Sequence, residues 1–170
     1  MAVTIDGDGP LAGATTLNGL TIPTTGFGKV LQIVRATDTT ARSSTSSTYV
    51  DSNLNVTITP QKSTSAIILI YTVYFSAGGT SINRWAGFQI TDSSNVALSG
   101  ASQTFSGIDG FSNWSAGLFL NGATVIGYDL PASASAKTYK VRYRTSDGIT
   151  TVTLRNNSQA AQLYAIEVDS

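Results

Sequence analysis

A two-residue alternation of apolar and polar side chains runs through most of this chain, and no stretch carries a helical period. That restricts the fold to sheet, because side chains on a strand point alternately to opposite faces. Leu54, Val56 and Ile58 alternate with Asn55, Thr57 and Thr59, a one-sided strand closed by Pro60. In 137–145, Tyr139, Val141 and Tyr143 read as inward, and Thr138, Lys140, Arg142 and Arg144 as outward. Residues 66–76 differ: Ile67, Leu69, Tyr71, Val73 and Phe75 line one face, while Ile68, Ile70 and Tyr74 line the other. A strand apolar on both faces expects cover on both, from its own core and from something else.

Further strands are expected at 29–37, 82–91, 96–99, 114–120, 123–128, 149–155 and 162–168. Turn signals separate several of them, among them Asp92-Ser93-Ser94-Asn95, Ser146-Asp147-Gly148 and Asn156-Asn157-Ser158. The Ser/Thr-rich piece 37–48 reads as a loop or an edge hairpin, and the Gly/Ser-rich piece 99–113 as a loop. Nine or ten short strands with frequent turns predict an all-β fold, an antiparallel β-sandwich of jelly-roll type. Residues 28–170 are the jelly-roll domain. Residues 1–27 are rich in Gly and Pro and hold too little apolar surface for a core, so they read as an extended N-terminal arm. Its spaced apolar residues, Val3, Ile5, Leu11, Leu17, Leu20 and Ile22, are the candidate anchors to a partner surface.

What the chain lacks bears on function. It has no histidine, no cysteine and a single glutamate, Glu167. The common acid/base group near neutral pH, the strongest nucleophile and the usual zinc ligands are therefore missing. The expectation is a chain that binds or builds and is not an enzyme, with no catalytic residue, cofactor or metal site. Ten basic and ten acidic side chains give zero formal charge, which argues against a nucleic-acid surface and favours association. The longest apolar run, about ten residues, is half what a bilayer span needs, so no membrane insertion is expected. Residues 1–6 carry neither a basic nor an apolar leader segment, so no secretory signal is expected.

Several constellations have a plainer reading beside the chemical one. Asp6-Gly7-Asp8-Gly9 resembles a calcium-loop fragment, but no terminal glutamate follows, and a Gly-rich turn is favoured. Asp109, Asp129 and Asp147 invite comparison with a carboxylate pair, yet each stands in or beside a turn. Serine chemistry would need Lys29, Lys62, Lys137 or Lys140 as its base, and no Gly-x-Ser-x-Gly elbow is present. Lys137, Lys140, Arg142 and Arg144 could meet sulfate, phosphate or an acidic glycan; a solvated strand face or a guarded sheet edge is the favoured reading. Trp85 and Trp114 are sugar-stacking candidates, with core or interface packing as the default.

A series of phrases in order carries a family resemblance. Gly28-Lys29-Val30-Leu31-Gln32-Ile33-Val34 follows a Gly-rich leader, and the tract 43–48 runs into Tyr49-Val50-Asp51 and Leu54-Asn55-Val56-Thr57-Ile58-Thr59-Pro60. Asp129-Leu130-Pro131, Lys137-Thr138-Tyr139-Lys140-Val141 and Ala165-Ile166-Glu167-Val168 come later, and Thr4-Ile5-Asp6-Gly7-Asp8-Gly9 with Thr16-Leu17-Asn18-Gly19 lies in the leader. In these the chain resembles small bacteriophage virion proteins of tail-fibre tips, head fibres and capsid decoration, which are similar in fold to the trimeric jelly rolls of tumour necrosis factor and complement heads. The resemblance implies a homotrimer with the last strand near the three-fold axis, and no shared catalytic residues. With no shaft before the jelly roll, it implies a capsid decoration (cement) protein held to the major capsid protein or other virion proteins by its arm. Its location would be the virion, assembled in the host bacterial cytoplasm. The alternative is a tail-fibre or head-fibre tip binding a host-surface glycan receptor through loops such as 99–113. For the trimer interface, the doubly apolar strand and the last strand supply the candidates Tyr71, Val73, Tyr164 and Ile166.

Overall fold

The computed structural model describes residues 16–17, 20–21, 29–79, 84–108 and 117–169. In the leader, β1 (Thr16–Leu17) and β2 (Leu20–Thr21) pair antiparallel. Val3, Ile5, Leu11 and Ile22, the other arm candidates, lie outside the described residues.

The remaining strands form one antiparallel sheet folded into two layers. The first layer holds, in spatial order, β3 (Val30–Asp38), β12 (Ala161–Val168), β6 (Ala66–Gly79) and β9 (Gly117–Asp129). The second holds β8 (Ala97–Ile108), β7 (Arg84–Asp92), β10 (Lys137–Thr145) and β5 (Val50–Ile58). Counted along the chain, these eight strands take the order 1-8-3-6 in one layer and 5-4-7-2 in the other, the arrangement of a jelly roll. One bridge, Ser99↔Tyr128, joins β8 to β9. At the opposite seam Gln61 Nε2 donates to Leu31 O at 3.2 Å and Gln32 Nε2 to Thr59 O at 2.7 Å. The sandwich is thus nearly a closed barrel, which leaves few free edges. Past the end of β12, β11 (Thr151–Leu154) takes over the same edge of β6, and β4 (Arg42–Ser44) pairs with β11.

The inward residues of the alternation fill the space between layers. Ile67, Leu69, Tyr71 and Phe75 from β6 face Phe88 and Ile90 from β7 and Tyr139, Val141 and Tyr143 from β10. Phe75 meets Phe88 edge-on with centroids 5.0 Å apart, and Phe105 and Phe119 complete the cluster. Between the pairs Asn55↔Lys140 and Asp51↔Arg142, β5 carries two more residues than β10. Asn53 absorbs this bulge at φ 61°, with its N–H donating to Asp51 Oδ1 at 2.7 Å, so that Ser52 and Leu54 both stay buried.

Two expectations about strands change. Residues 99–108, read as loop, continue β8, because pairing with β7 overrides the weak strand preference of Ser and Gly. Residues 114–120 and 123–128, read as two strands, belong to β9 from Gly117 onward: Asn121 and Gly122 pair with Phe75 and Tyr74 of β6 instead of turning. The Asp92–Asn95 turn is as expected; Asp92 Oδ1 accepts the N–H groups of Ser94 and Val96, both at 2.9 Å.

Candidate functional site: the outward face of the β3-β12-β6-β9 layer

Registers across this layer place two apolar rows side by side on its outward face. One row is Ile33, Ile166, Ile68 and Tyr128; the next is Arg35, Tyr164, Ile70 and Ile126. Ile33 is 59% exposed, Ile126 54% and Tyr128 47%, while Ile68, Ile70, Tyr164 and Ile166 are half-buried by their neighbours. Val30 and Leu130, both exposed, extend the patch at one end. At the other end it stops abruptly, for the following row is Thr37, Gln162, Thr72 and Thr124. Beyond that row a half-open hollow of about 320 Å³ is lined by Thr72, Tyr74, Gly122, Thr124 and Gln159, among others. Scattered exposed apolar residues are ordinary, but neighbouring rows across four strands form a contiguous patch of the kind that marks an interaction surface.

Of the four interface candidates, Tyr164 and Ile166 stand on this face. Tyr71 and Val73 do not: both point into the sandwich, 0% and 5% exposed. Strand β6 has apolar residues on both sides, and its partners decide which side is inside. Tyr71 packs against Phe88, with ring centroids 6.1 Å apart. Burial raises the Tyr71 phenol pKa, the Asp38 charge adds to that, and its hydroxyl has no partner among the described residues. From sequence, Ile68 and Ile70 stand out only as the second apolar face of their strand, and Ile33, Ile126 and Tyr128 do not stand out. From Ala123 onward in β9 the inward residues are the smaller ones, Ala123, Val125 and Gly127, while Ile126 and Tyr128 face out. A Cβ on Gly127 would lie 3.1 Å from Ala101 Cβ, so a larger residue there would crowd Ala101 and require it to give way.

The outward face of the other layer is polar. Lys140, Arg142 and Arg144 leave it from β10, which is paired with β7 on one side and β5 on the other. β10 is therefore a central strand, and the guarded-edge reading of its basic residues does not hold. The Arg144 guanidinium lies 4.8 Å from the Trp85 ring centroid and 5.0 Å from that of Tyr49. Arg144 Nη1 donates to Ser47 O at 3.3 Å, and Arg142 Nη2 donates to Tyr49 O. Gly87 makes room for this stack, since a Cβ there would lie 3.1 Å from Arg144 Cγ and 3.2 Å from Tyr49 Oη. Trp85 is half-buried beneath Arg144; Trp114 lies outside the described residues.

The described carboxylates have local partners. Asp129 Oδ2 accepts from Tyr139 Oη at 2.7 Å, and Asp147 Oδ1 accepts the N–H groups of Ile149 and Thr150 at 2.9 and 2.8 Å. Asp38 pairs with Arg42 and accepts from Asn156 Nδ2 at 2.8 Å. Burial alone would raise the Asp38 pKa, but the donors Thr40 N–H, Arg42 and Asn156 bring it below the usual value. Asp6, Asp8 and Asp109 lie outside the described residues. Among the described residues no three His, Cys, Asp or Glu side chains gather as a metal-ion cluster. No protein-family model matches the chain, and no curated protein matches it.

Proposed function

We propose that this chain is a non-enzymatic structural protein of a bacteriophage virion, a homotrimer that decorates the capsid surface and is anchored by its N-terminal arm. The observation that carries the reading is the contrast between the two outward faces. One presents Ile33, Ile68, Ile70, Ile126, Tyr128 and Ile166 in adjoining rows; the other presents amides, hydroxyls and cations. The sandwich already has its core, so the apolar rows have no cover within the described chain. A further copy of the chain suits them: zero formal charge sets no electrostatic barrier to self-association, and Arg35 is the sole charged residue in those two rows. In a ring of three, part of each face packs against the next copy, a heterologous contact closed by rotation. The virion assignment rests on the resemblance of residues 28–169 and of the leader to phage decoration and fibre proteins.

Localisation in purified virions tests it. Labelled antibody or a particle reconstruction should find the protein across the capsid surface, at a copy number set by the capsid lattice. Confinement to a tail tip supports the receptor-binding alternative, and absence from particles contradicts both.

A further inference from the structure

Arg142 and Arg144 are half-buried cations with no counter-ion among the described residues. The ion pairs among the described residues, Arg42–Asp38 and Lys62–Asp169, belong to other parts of the molecule. Asp51, opposite Arg142 in the ladder, makes no ion pair with it and accepts the Asn53 N–H instead. The Nε atoms of both arginines are closed off from solvent without a hydrogen-bond partner among the described residues. Withdrawing a cation from water without an opposite charge is unfavourable. Carbonyl oxygens and aromatic rings offset part of that cost here, and they also hold each guanidinium in place. A cation fixed in advance loses little conformational freedom on binding, and its planar fork matches the paired oxygens of a carboxylate, sulfate or phosphate.

The surroundings indicate what carries such an anion. Lys140 stands two residues along the same face, about 6.7 Å per pair of residues. Its ladder neighbours are the exposed Asn55 and the buried Thr91, and those of Arg142 include Gln89, which donates to Ser102 Oγ at 2.9 Å. Amide and hydroxyl groups around a short line of cations fit a ligand that is rich in hydroxyls and sparsely charged. We infer that the outward face of the β5-β10-β7-β8 layer binds an acidic saccharide, with Lys140 and Arg142 contacting its anionic group beside the fixed Arg144. The inference is independent of the trimer, because the two faces lie on opposite sides of the sandwich.

Affinity electrophoresis of the full chain at low salt tests it, with polygalacturonate, dextran sulfate, neutral dextran and single-stranded DNA as probes. One or both acidic polysaccharides should retard the protein; the carboxylate and sulfate arms identify the anion. Neutral dextran should have no effect, and DNA should bind more weakly. Lys140→Gln with Arg142→Gln should weaken binding about tenfold or more, the loss expected when charge-assisted hydrogen bonds go. Lys29→Gln, away from this face and the same loss of one positive charge as Lys140→Gln alone, should leave binding intact. Thermal unfolding checks that the variants are folded, and Lys140→Gln alone serves if the double change is not tolerated. No retardation by either acidic polymer, equal binding of DNA or neutral dextran, or an equal loss in Lys29→Gln would overturn the inference.

Discussion

Gln32 and Glu167 are direct cross-strand partners, and Gln32 Nε2 donates to Glu167 Oε2 at 2.6 Å. The other oxygen, Oε1, accepts the backbone N–H groups of Gln61 and Lys62 at 2.8 and 3.3 Å. The chain's one glutamate thus ties the first and last strands of the jelly roll to the connection between β5 and β6, in a fully buried position. Burial opposes its charge and would raise the pKa, but the hydrogen bonds from Gln32, Gln61 and Lys62 outweigh it and hold the carboxyl below its usual value.

A depressed carboxylate pKa sets the sign of a pH effect. Glu167 contributes stability that is present above the unfolded-chain value, about 4.3, and is lost as pH falls through the lower folded value. Asp38 acts in the same direction. Denaturant midpoints measured from pH 7 down to pH 3 should fall, and Glu167→Gln should flatten part of that slope. Glu167→Ala, which strands three donors, should cost about 3 kcal/mol at pH 7.

Phe75→Ala should destabilise the domain by about 3–5 kcal/mol, since Phe75 is fully buried and touches Phe88, Phe105 and Phe119. Urea unfolding should show a lower midpoint with an unchanged slope.

Gly87→Ala places a methyl group against Arg144 and Tyr49 and should displace the guanidinium from Trp85, at about 1–2 kcal/mol. A change in tryptophan fluorescence that disappears when Arg144→Ala is combined with it would tie the effect to this stack.

Most of the strand framework was legible because burial on one side leaves a period-two trace. In β5 and β10 the inward residues of the structure are those that the alternation selects. Legibility failed where pairing, not side-chain character, decides. The Ser/Gly composition of 99–108 hid most of β8, and Asn121-Gly122 carries a turn signature but lies in a continuous ladder. The candidate site was half legible for a related reason. Both faces of β6 are apolar, and sequence cannot choose between Tyr71 and Ile70 without knowing which layer lies beneath. Near the end of β9 the inward position Gly127 is small, where a side chain would crowd Ala101, and Ile126 and Tyr128 face out.

The arm has its own test. On the proposed reading, residues 1–26 attach the protein to the capsid by adding strands to exposed sheet edges of a neighbouring subunit. Removing them should leave a folded trimer that no longer binds capsids. Full occupancy by the shortened protein would move the anchor to the jelly roll itself.

The central claim is that the apolar face of the β3-β12-β6-β9 layer joins copies of the chain. Analytical ultracentrifugation of the full chain at micromolar concentration tests it most directly, alongside an Ile68→Asp, Ile166→Asp variant. The account predicts a species of about three times 17.7 kDa for the natural sequence and a folded monomer for the variant. A natural chain that sediments as a folded 17.7 kDa monomer, or a variant that still sediments as a trimer, would contradict it.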